Sequence, residues 1–266
     1  MYDFHLHSEY SMDSKASMES MVLSAIGSNL KSICFTDHVD YDVTSEGIDF
    51  VFRTADYFRN INQVKYKYKN QIEILAGVEI GMQSHLFERY NKLIEENEFD
   101  FVIMSIHAVD KIDIHTGEFT RKYEAQEALE RYYKEINKCV SGFSNFDVFG
   151  HLDFIDRYFD KGVSIPRFED YHFLVYDILR LLIENNKGLE INTAGMRYGL
   201  GYYHPKISIL KLYRELGGEI ITIGSDSHTP ETIGHDYKLV EKILKDLGFK
   251  YIYIFKDRKK FPIKIA

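Results

Sequence analysis

Short apolar runs alternate with amphipathic stretches along the whole chain. Seven runs have the length and content of buried strands: 2–7, 31–38, 72–79, 99–107, 146–151, 188–192 and 219–228. Between them the apolar spacing changes to three and four. Met18, Met21, Val22, Ala25 and Ile26 mark one face of a helix over about 17–30, with Ser17 as its N-cap. Leu174, Ile178 and Leu182, with Val175 and Leu179 alongside, mark another over about 168–186. Further helices are predicted at about 50–69, 84–97 and 123–141. Pro205 is expected in the first turn of the next helix, which Gly217-Gly218 closes. Pro230 starts one more helical region, Gly248 follows it, and 251–255 is a last β-like run. The stretch 108–122 is long for a connection and is expected to be a lid or binding loop. Strand-then-helix repetition predicts an α/β fold with a parallel sheet. No linker, charge block or low-complexity tract interrupts it, so 1–266 reads as a single domain.

Composition narrows the function classes. With 45% hydrophobic residues the chain buries a sizeable core, its aromatics being Tyr and Phe with no Trp. A net charge of −8 argues against binding long nucleic acids, which want a basic face. It leaves small anionic substrates open. The two cysteines, Cys34 and Cys139, fall in apolar contexts and are expected as buried reduced thiols. No apolar run approaches the ~18 residues of a membrane span, and no signal peptide is evident, so a cytoplasmic protein is expected.

The chemistry lies in how the strands end. His5 and His7, two apart in a strand, point to one face. Asp13 follows six residues later. Later runs end in His38, Glu79, His107, His151 and the Asp226/His228 pair. In a parallel β/α barrel these ends converge on one mouth, where the active site lies. Taken singly, His107 is a satisfied core histidine and Glu79 a salt-bridge partner. Together, six histidines and three carboxylates at one mouth need cations to hold them. Nine candidate ligands exceed what one ion uses and point to two or three divalent ions. The set lacks a thiolate, which suits Zn, Mn or Fe. Neighbouring ions of this kind serve phosphoryl transfer.

These residues resemble the polymerase and histidinol phosphatase (PHP) family over nearly the whole chain. The motifs are His5-Leu-His7, Thr36-Asp-His38, Glu79 with Ser105-Ile-His107, Gly150-His151 and Gly224-Ser-Asp226-Ser-His228. The resemblance implies a distorted TIM-like barrel of seven β/α units with a trinuclear metal site at the C-terminal ends of its strands. It implies a first ion on His5, His7, Glu79 and Asp226, and a second on Glu79, His107 and His151, with Glu79 bridging. A third would lie on His38, His228 and Asp13, a position where some members carry histidine. The chain's size and the segment 192–197 are most similar to the stand-alone histidinol-phosphate phosphatases of the family. That implies hydrolysis of L-histidinol phosphate in histidine biosynthesis; the alternative is a phosphatase of nucleotides or other small esters with the same site.

The expected reaction is phosphomonoester hydrolysis, with a metal-bridging hydroxide attacking phosphorus in line. Arg197 and Arg157 follow strands six and five and are the candidate phosphate-binding residues, Arg197 the stronger; the plain alternative for each is a surface ion pair. Asp226 and His228 are candidates for proton transfer to the leaving alkoxide, where a ligand role competes. With bridging Glu79 they make up the expected catalytic set. His204 and His235 are expected near the same face as structural residues or substrate contacts. His85, His115 and His172 are expected away from it. Two rivals remain: amidohydrolase-type attack on carbon, which often needs a strand-end lysine not seen here, and a metal-bound regulatory module without turnover.

Overall fold

A computed structural model describes residues 1–265. The barrel strands are β1 (Tyr2–Leu6), β2 (Ser32–Phe35), β4 (Glu73–Gly81), β5 (Phe101–Ser105), β8 (Val148–Phe149), β9 (Gly188–Asn192) and β10 (Ile221–Gly224), parallel and adjacent in that order. A short β3 (His38–Asp40) pairs with the upper half of β4. The ring nearly closes where β1 meets the chain after β10: His7 N–H donates to Ser227 O at 2.8 Å and Asp226 N–H to His5 O at 2.8 Å. The first and last motifs of the sequence are thereby side by side.

The helices cover the outside of the sheet: α1 (Met18–Gly27), α2 (Thr54–Tyr68), α3 (Phe87–Glu95), α4 (Glu118–Lys122), α5 (Ala125–Gly142), α6 (Phe168–Glu184), α7 (Ala194–Arg197), α8 (Ile207–Glu215) and α9 (Tyr237–Asp246). Ser17 caps α1 as expected, accepting from Ser20 N–H at 3.1 Å. The aromatic residues of α2 are core packing: Tyr57 is fully buried and its hydroxyl donates to Gly77 O and Phe35 O. No helix among the described residues is long and apolar enough to cross a membrane.

Strand parity decides what faces the barrel interior. On β4, Leu75, Gly77, Glu79 and Gly81 alternate with the outward Ile74, Ala76, Val78 and Ile80. On β1 the pairing slips from Asp3 opposite Ile33 to Leu6 opposite Phe35, three residues against two. Such a bulge switches parity. Phe4 can then join the apolar layer at the base while His5 and His7 both reach the mouth. The base layer is Phe4, Cys34, Leu75, Phe101, Ile103, Val148 and Ile220. It is plugged from below by Phe255 of an antiparallel hairpin, β11 (Tyr251–Lys256) and β12 (Lys259–Lys264).

Several expectations about elements change. The run 31–38 is split into β2 and β3, because Asp37 turns inward to accept from Ser8 N–H, Ser8 Oγ and Ser11 Oγ at 2.6–2.9 Å. The stretch 108–122 is an ordered hairpin, β6 (Ala108–Val109) with β7 (Ile112–Asp113), followed by α4. Pro205 is not in a first turn; it lies two residues before α8. The second strand of the terminal hairpin was not foreseen, because four of its six residues, KKFPIK, are Lys or Pro.

Candidate metal centre

The candidate ligands sit at or just past the end of the ladder. His107, His151 and Asp226 each lie two residues after β5, β8 and β10. Glu79 lies within β4, two residues before its end, and parity points it to the centre; His5 likewise lies inside β1, and His38 opens β3. Its Oε1 accepts from Ser105 Oγ at 2.6 Å and lies 2.8 Å from His151 Nε2 and 3.4 Å from His107 Nε2. Its Oε2 lies 3.1 Å from His5 Nε2, 3.6 Å from His7 Nε2 and 3.0 Å from His38 Nδ1. One fully buried carboxylate thus faces five imidazoles.

Asp226 Oδ1 lies 3.3 Å from His7 Nε2 and 3.8 Å from His5 Nε2. Asp13 Oδ2 lies 3.0 Å from His228 Nε2 and 3.8 Å from His38 Nε2. All nine expected residues are therefore within one cluster. His38 faces both the Glu79 and the Asp13 groups, where the resemblance assigns it to the Asp13 group alone.

The other ring nitrogen decides which atom each imidazole offers. His5 Nδ1–H donates to Glu190 Oε1 at 2.6 Å and His107 Nδ1–H to Asp40 Oδ2 at 3.0 Å. His7 Nδ1–H donates to Ser11 Oγ at 3.0 Å and His228 Nδ1–H to the Asp226 carbonyl at 3.1 Å. Each leaves Nε2 facing the centre, the arrangement of metal-ligating histidines backed by an oriented acceptor. Among the described residues, His5 Nε2, His7 Nε2, His228 Nε2 and Glu79 Oε2 are buried without a hydrogen-bond partner. Buried polar atoms are seldom left so. The donor set fits divalent ions.

Electrostatics shows the same strain. Burial lowers His7, and the nearby His228 and His38 push it further down, well below the ordinary histidine range. The His7 ring stacks 4.1 Å from His228 and 4.2 Å from His38, so these imidazoles cannot all carry charge cheaply. Burial also lowers His151. Burial opposes charge on His38 as well, but Glu79 and then Asp40 and Asp13 push it up to about 9. His5 rises well above its ordinary value against burial, through Glu190, Glu79 and Asp226. Burial works against ionisation of Glu79 and Asp226, yet the surrounding histidines hold both well below the usual carboxylate range.

A cavity of about 340 Å³ opens over this cluster. One wall is Phe154, Arg157, Tyr158 and Tyr198, and the opposite rim includes Met12, Val43 and Phe50. Arg157 follows β8 on a 3-10 turn, Phe154–Tyr158. Its guanidinium stands 4.0 Å over the Tyr198 ring, and Nη2 is 3.7 Å from Asp226 Oδ2. Nε and Nη2 have no hydrogen-bond partner among the described residues. Arg197, the stronger expectation for phosphate, is placed otherwise. It is not among the cavity-lining residues, and its Nη2 donates to the carbonyls of Ser225 and Asp226 at 2.6 and 3.1 Å. Its position on α7, behind the segment after β10, turns it onto backbone rather than into the mouth. It braces Asp226, which has a left-handed φ of 53°.

The remaining histidines divide. His85 is exposed beside Asp42, His172 is exposed with Nδ1–H donating to Glu169 O, and His235 is half-buried beside Asp236. His204 is buried against Asp153. His115, expected far from the site, lines the cavity and lies 3.1 Å from Tyr158 Oη, because the hairpin folds the loop back over the mouth. Glu190, Asp40 and Ser11 were missed. Glu190 did carry a signal, being the one charged position in a buried strand run, GLEIN. It also explains one motif glycine, since a Cβ at Gly224 would collide with Glu190 Oε1; at Gly150 the obstacles are Ser105 Oγ and Ile103. Asp40 and Ser11 carried no comparable signal.

Known proteins resemble this chain in sequence and in fold. A PHP domain family model matches residues 3–194. The histidinol-phosphatase of Lactococcus lactis subsp. lactis is 32% identical over 263 residues, covering 97% of this chain and 95% of that one. A probable histidinol-phosphatase of Clostridium acetobutylicum is 30% identical over 261 residues, covering 98% and 99%. The crystal structure of the L. lactis histidinol phosphate phosphatase, complexed with zinc, L-histidinol and phosphate, superposes with a TM-score of 0.89 at 32% identity over 98% of each chain. The hisK structure from Listeria monocytogenes, at 21% identity and a TM-score of 0.79 over 90% of this chain and 99% of that one, shares the fold. On this likeness, over nearly its whole length, the chain belongs to the PHP domain family.

Proposed function

We propose that the protein is a metal-dependent phosphomonoesterase that hydrolyses L-histidinol phosphate to L-histidinol and inorganic phosphate. The observation that carries this is the meeting, in one cavity, of inward imidazole Nε2 atoms around Glu79 with an Arg157 guanidinium whose buried Nε and Nη2 make no hydrogen bond. The L. lactis relative, with zinc, L-histidinol and phosphate bound, supports the substrate.

His5, His7, Glu79 and Asp226 would hold one divalent ion, Glu79, His107 and His151 a second, and His38, His228 and Asp13 a third. When bound, such ions polarise phosphoryl oxygens and acidify water. The chain's own residues do the rest. Glu190, Asp40 and Ser11 hold His5, His107 and His7 in the tautomer that presents Nε2. Arg157 offers Nε and Nη2 to the phosphoryl oxygens in the fork geometry suited to phosphate. Its aromatic neighbours Phe154 and Tyr198 keep water from competing. Arg197 sets the backbone that aims Asp226. Asp226 and His228 line the cavity and serve chiefly as ligands; Asp226, held ionised by its histidines, has no proton of its own to give the leaving alkoxide. The catalytic unit is one domain from β1 to the terminal hairpin, acting in the cytoplasm on a small phosphorylated substrate.

The test is phosphate release from L-histidinol phosphate against a panel of nucleotides and sugar phosphates, with metal content measured on the same sample. The expected result is strong preference for L-histidinol phosphate with two to three ions per chain. Equal, slow release from every ester overturns the substrate assignment, and no release at full metal loading overturns the enzymatic one.

A further inference from the structure

A second buried polar cluster lies behind the cavity wall. Asp156, next to Arg157 on the 3-10 turn, points away from the mouth and is fully buried. Its Oδ2 lies 2.5 Å from Lys206 Nζ and accepts from Tyr202 Oη at 2.8 Å. Lys206 Nζ also donates to Tyr171 Oη at 2.8 Å, and its backbone N–H donates to Asp153 Oδ2 at 2.8 Å. His204 Nδ1–H donates to Asp153 Oδ1 at 2.5 Å. Every one of these contacts except Tyr171 joins the segment 153–156 to the segment 202–206.

Arg157 lies between the continuations of these two segments: Phe154 belongs to the first, Tyr158 follows it on the same 3-10 turn, and Tyr198 stands a few residues before the second. Apart from the ion pair at 3.7 Å with Asp226, the buried donors of Arg157 have no partner, so packing on both sides does much to hold its rotamer. Burying the Lys206–Asp156 pair is costly, and such a pair is weak evidence for stability in its own right. Its location accounts for it better.

We infer that Lys206, through Asp156 and Tyr202, is a positioning residue that clamps the two segments and so sets where the Arg157 guanidinium meets the phosphoryl group. This rests on the reading of the cavity as a phosphomonoesterase site. Lys206 does not line the cavity and contacts none of the candidate ligands, so loosening the clamp weakens phosphate binding while the metal centre stays intact.

The experiment compares Lys206→Met, Lys206→Arg and Tyr202→Phe with the wild type, all metal-loaded. It reads kcat and KM for L-histidinol phosphate, the affinity for inorganic phosphate by calorimetry, and metal content. Lys206→Met is expected to raise KM and the phosphate Kd in parallel by about tenfold, with kcat within about threefold and metal content unchanged. Tyr202→Phe is expected to move both the same way by about two- to threefold, and Lys206→Arg to restore most of the loss. If Lys206→Met leaves Asp156 buried and unpaired and does not fold, Tyr202→Phe and Lys206→Arg carry the test between them. Unchanged KM and phosphate affinity in the folded variants, or kcat falling together with metal content, overturns the clamp. Wild-type protein that neither hydrolyses a phosphate monoester nor binds phosphate overturns the function itself, and the clamp with it.

Discussion

The mouth and the base of this barrel hold buried charge in opposite ways. At the base, Asp147 accepts from Val102 N–H at 2.8 Å and from Arg258 Nε at 2.6 Å. Asp100 accepts from Ala76 N–H, Lys65 Nζ and Asp257 N–H. Arg258 and Asp257 come from the terminal hairpin, so these pairs fasten the plug while Phe255 fills the apolar layer above it. At the mouth, carboxylates and imidazoles crowd together and several ring nitrogens are left unpaired. Satisfied buried charge holds a fold together, whereas unsatisfied buried charge, retained at a cost, marks a site made for a ligand.

The largest effect expected from breaking this contrast is at Glu79. Glu79→Gln keeps the shape but removes the one carboxylate shared by five imidazoles. Several kcal/mol of charge stabilisation are lost, so kcat/KM should fall on the order of a thousandfold with loss of bound metal. Retention of both would refute the bridging role. At the base, Phe255→Ala should cost about 3–5 kcal/mol of stability, read by denaturant unfolding, while kcat of the folded fraction stays near wild type. A comparable loss of kcat would show that the two regions are coupled.

Smaller in expectation is Glu190→Gln, which offers no ligand atom itself but holds the His5 ring from behind. Releasing His5 Nδ1 from its carboxylate should lower metal affinity by about 10–100-fold. Titration of metal into stripped protein measures it, and an unchanged affinity removes Glu190 from the centre.

The smallest effect separates the regions by pH. In metal-stripped protein His38, raised to about 9, binds more protons folded than unfolded. Its contribution is complete below about pH 6.5 and is lost as pH rises through about 9. His7 and His151, both lowered, act in the other direction: their contribution is present above about 6.5 and is lost as pH falls. Tm should therefore peak near neutrality in stripped protein, by a few degrees. A Tm that rises steadily through pH 9 contradicts this.

What the sequence determined by itself was the alternation of strand and helix, and the inventory of candidate ligands at the mouth. Both are local: a two- or four-residue period reports on one element, and a histidine just past an apolar run lies near a strand end whatever its neighbours. His5, His7, His38, His107, His151 and Asp226 were legible in this way, as was Ser17 as a cap. What only the tertiary structure decided was orientation. The slip in β1 pairing turns both His5 and His7 inward. Glu190 reaches His5 from 185 residues away, and no spacing rule connects them. Of the two arginines expected at the mouth, Arg157 sits on a turn that faces the cavity, while Arg197 is drawn back onto the carbonyls of Ser225 and Asp226. His115 joined the site because the long connection 108–122, expected to be a lid or binding loop, folds as a hairpin over the mouth. Side-chain direction depends on register, bulges and contacts between distant segments, and these are set only when the ring closes and its first and last strands meet.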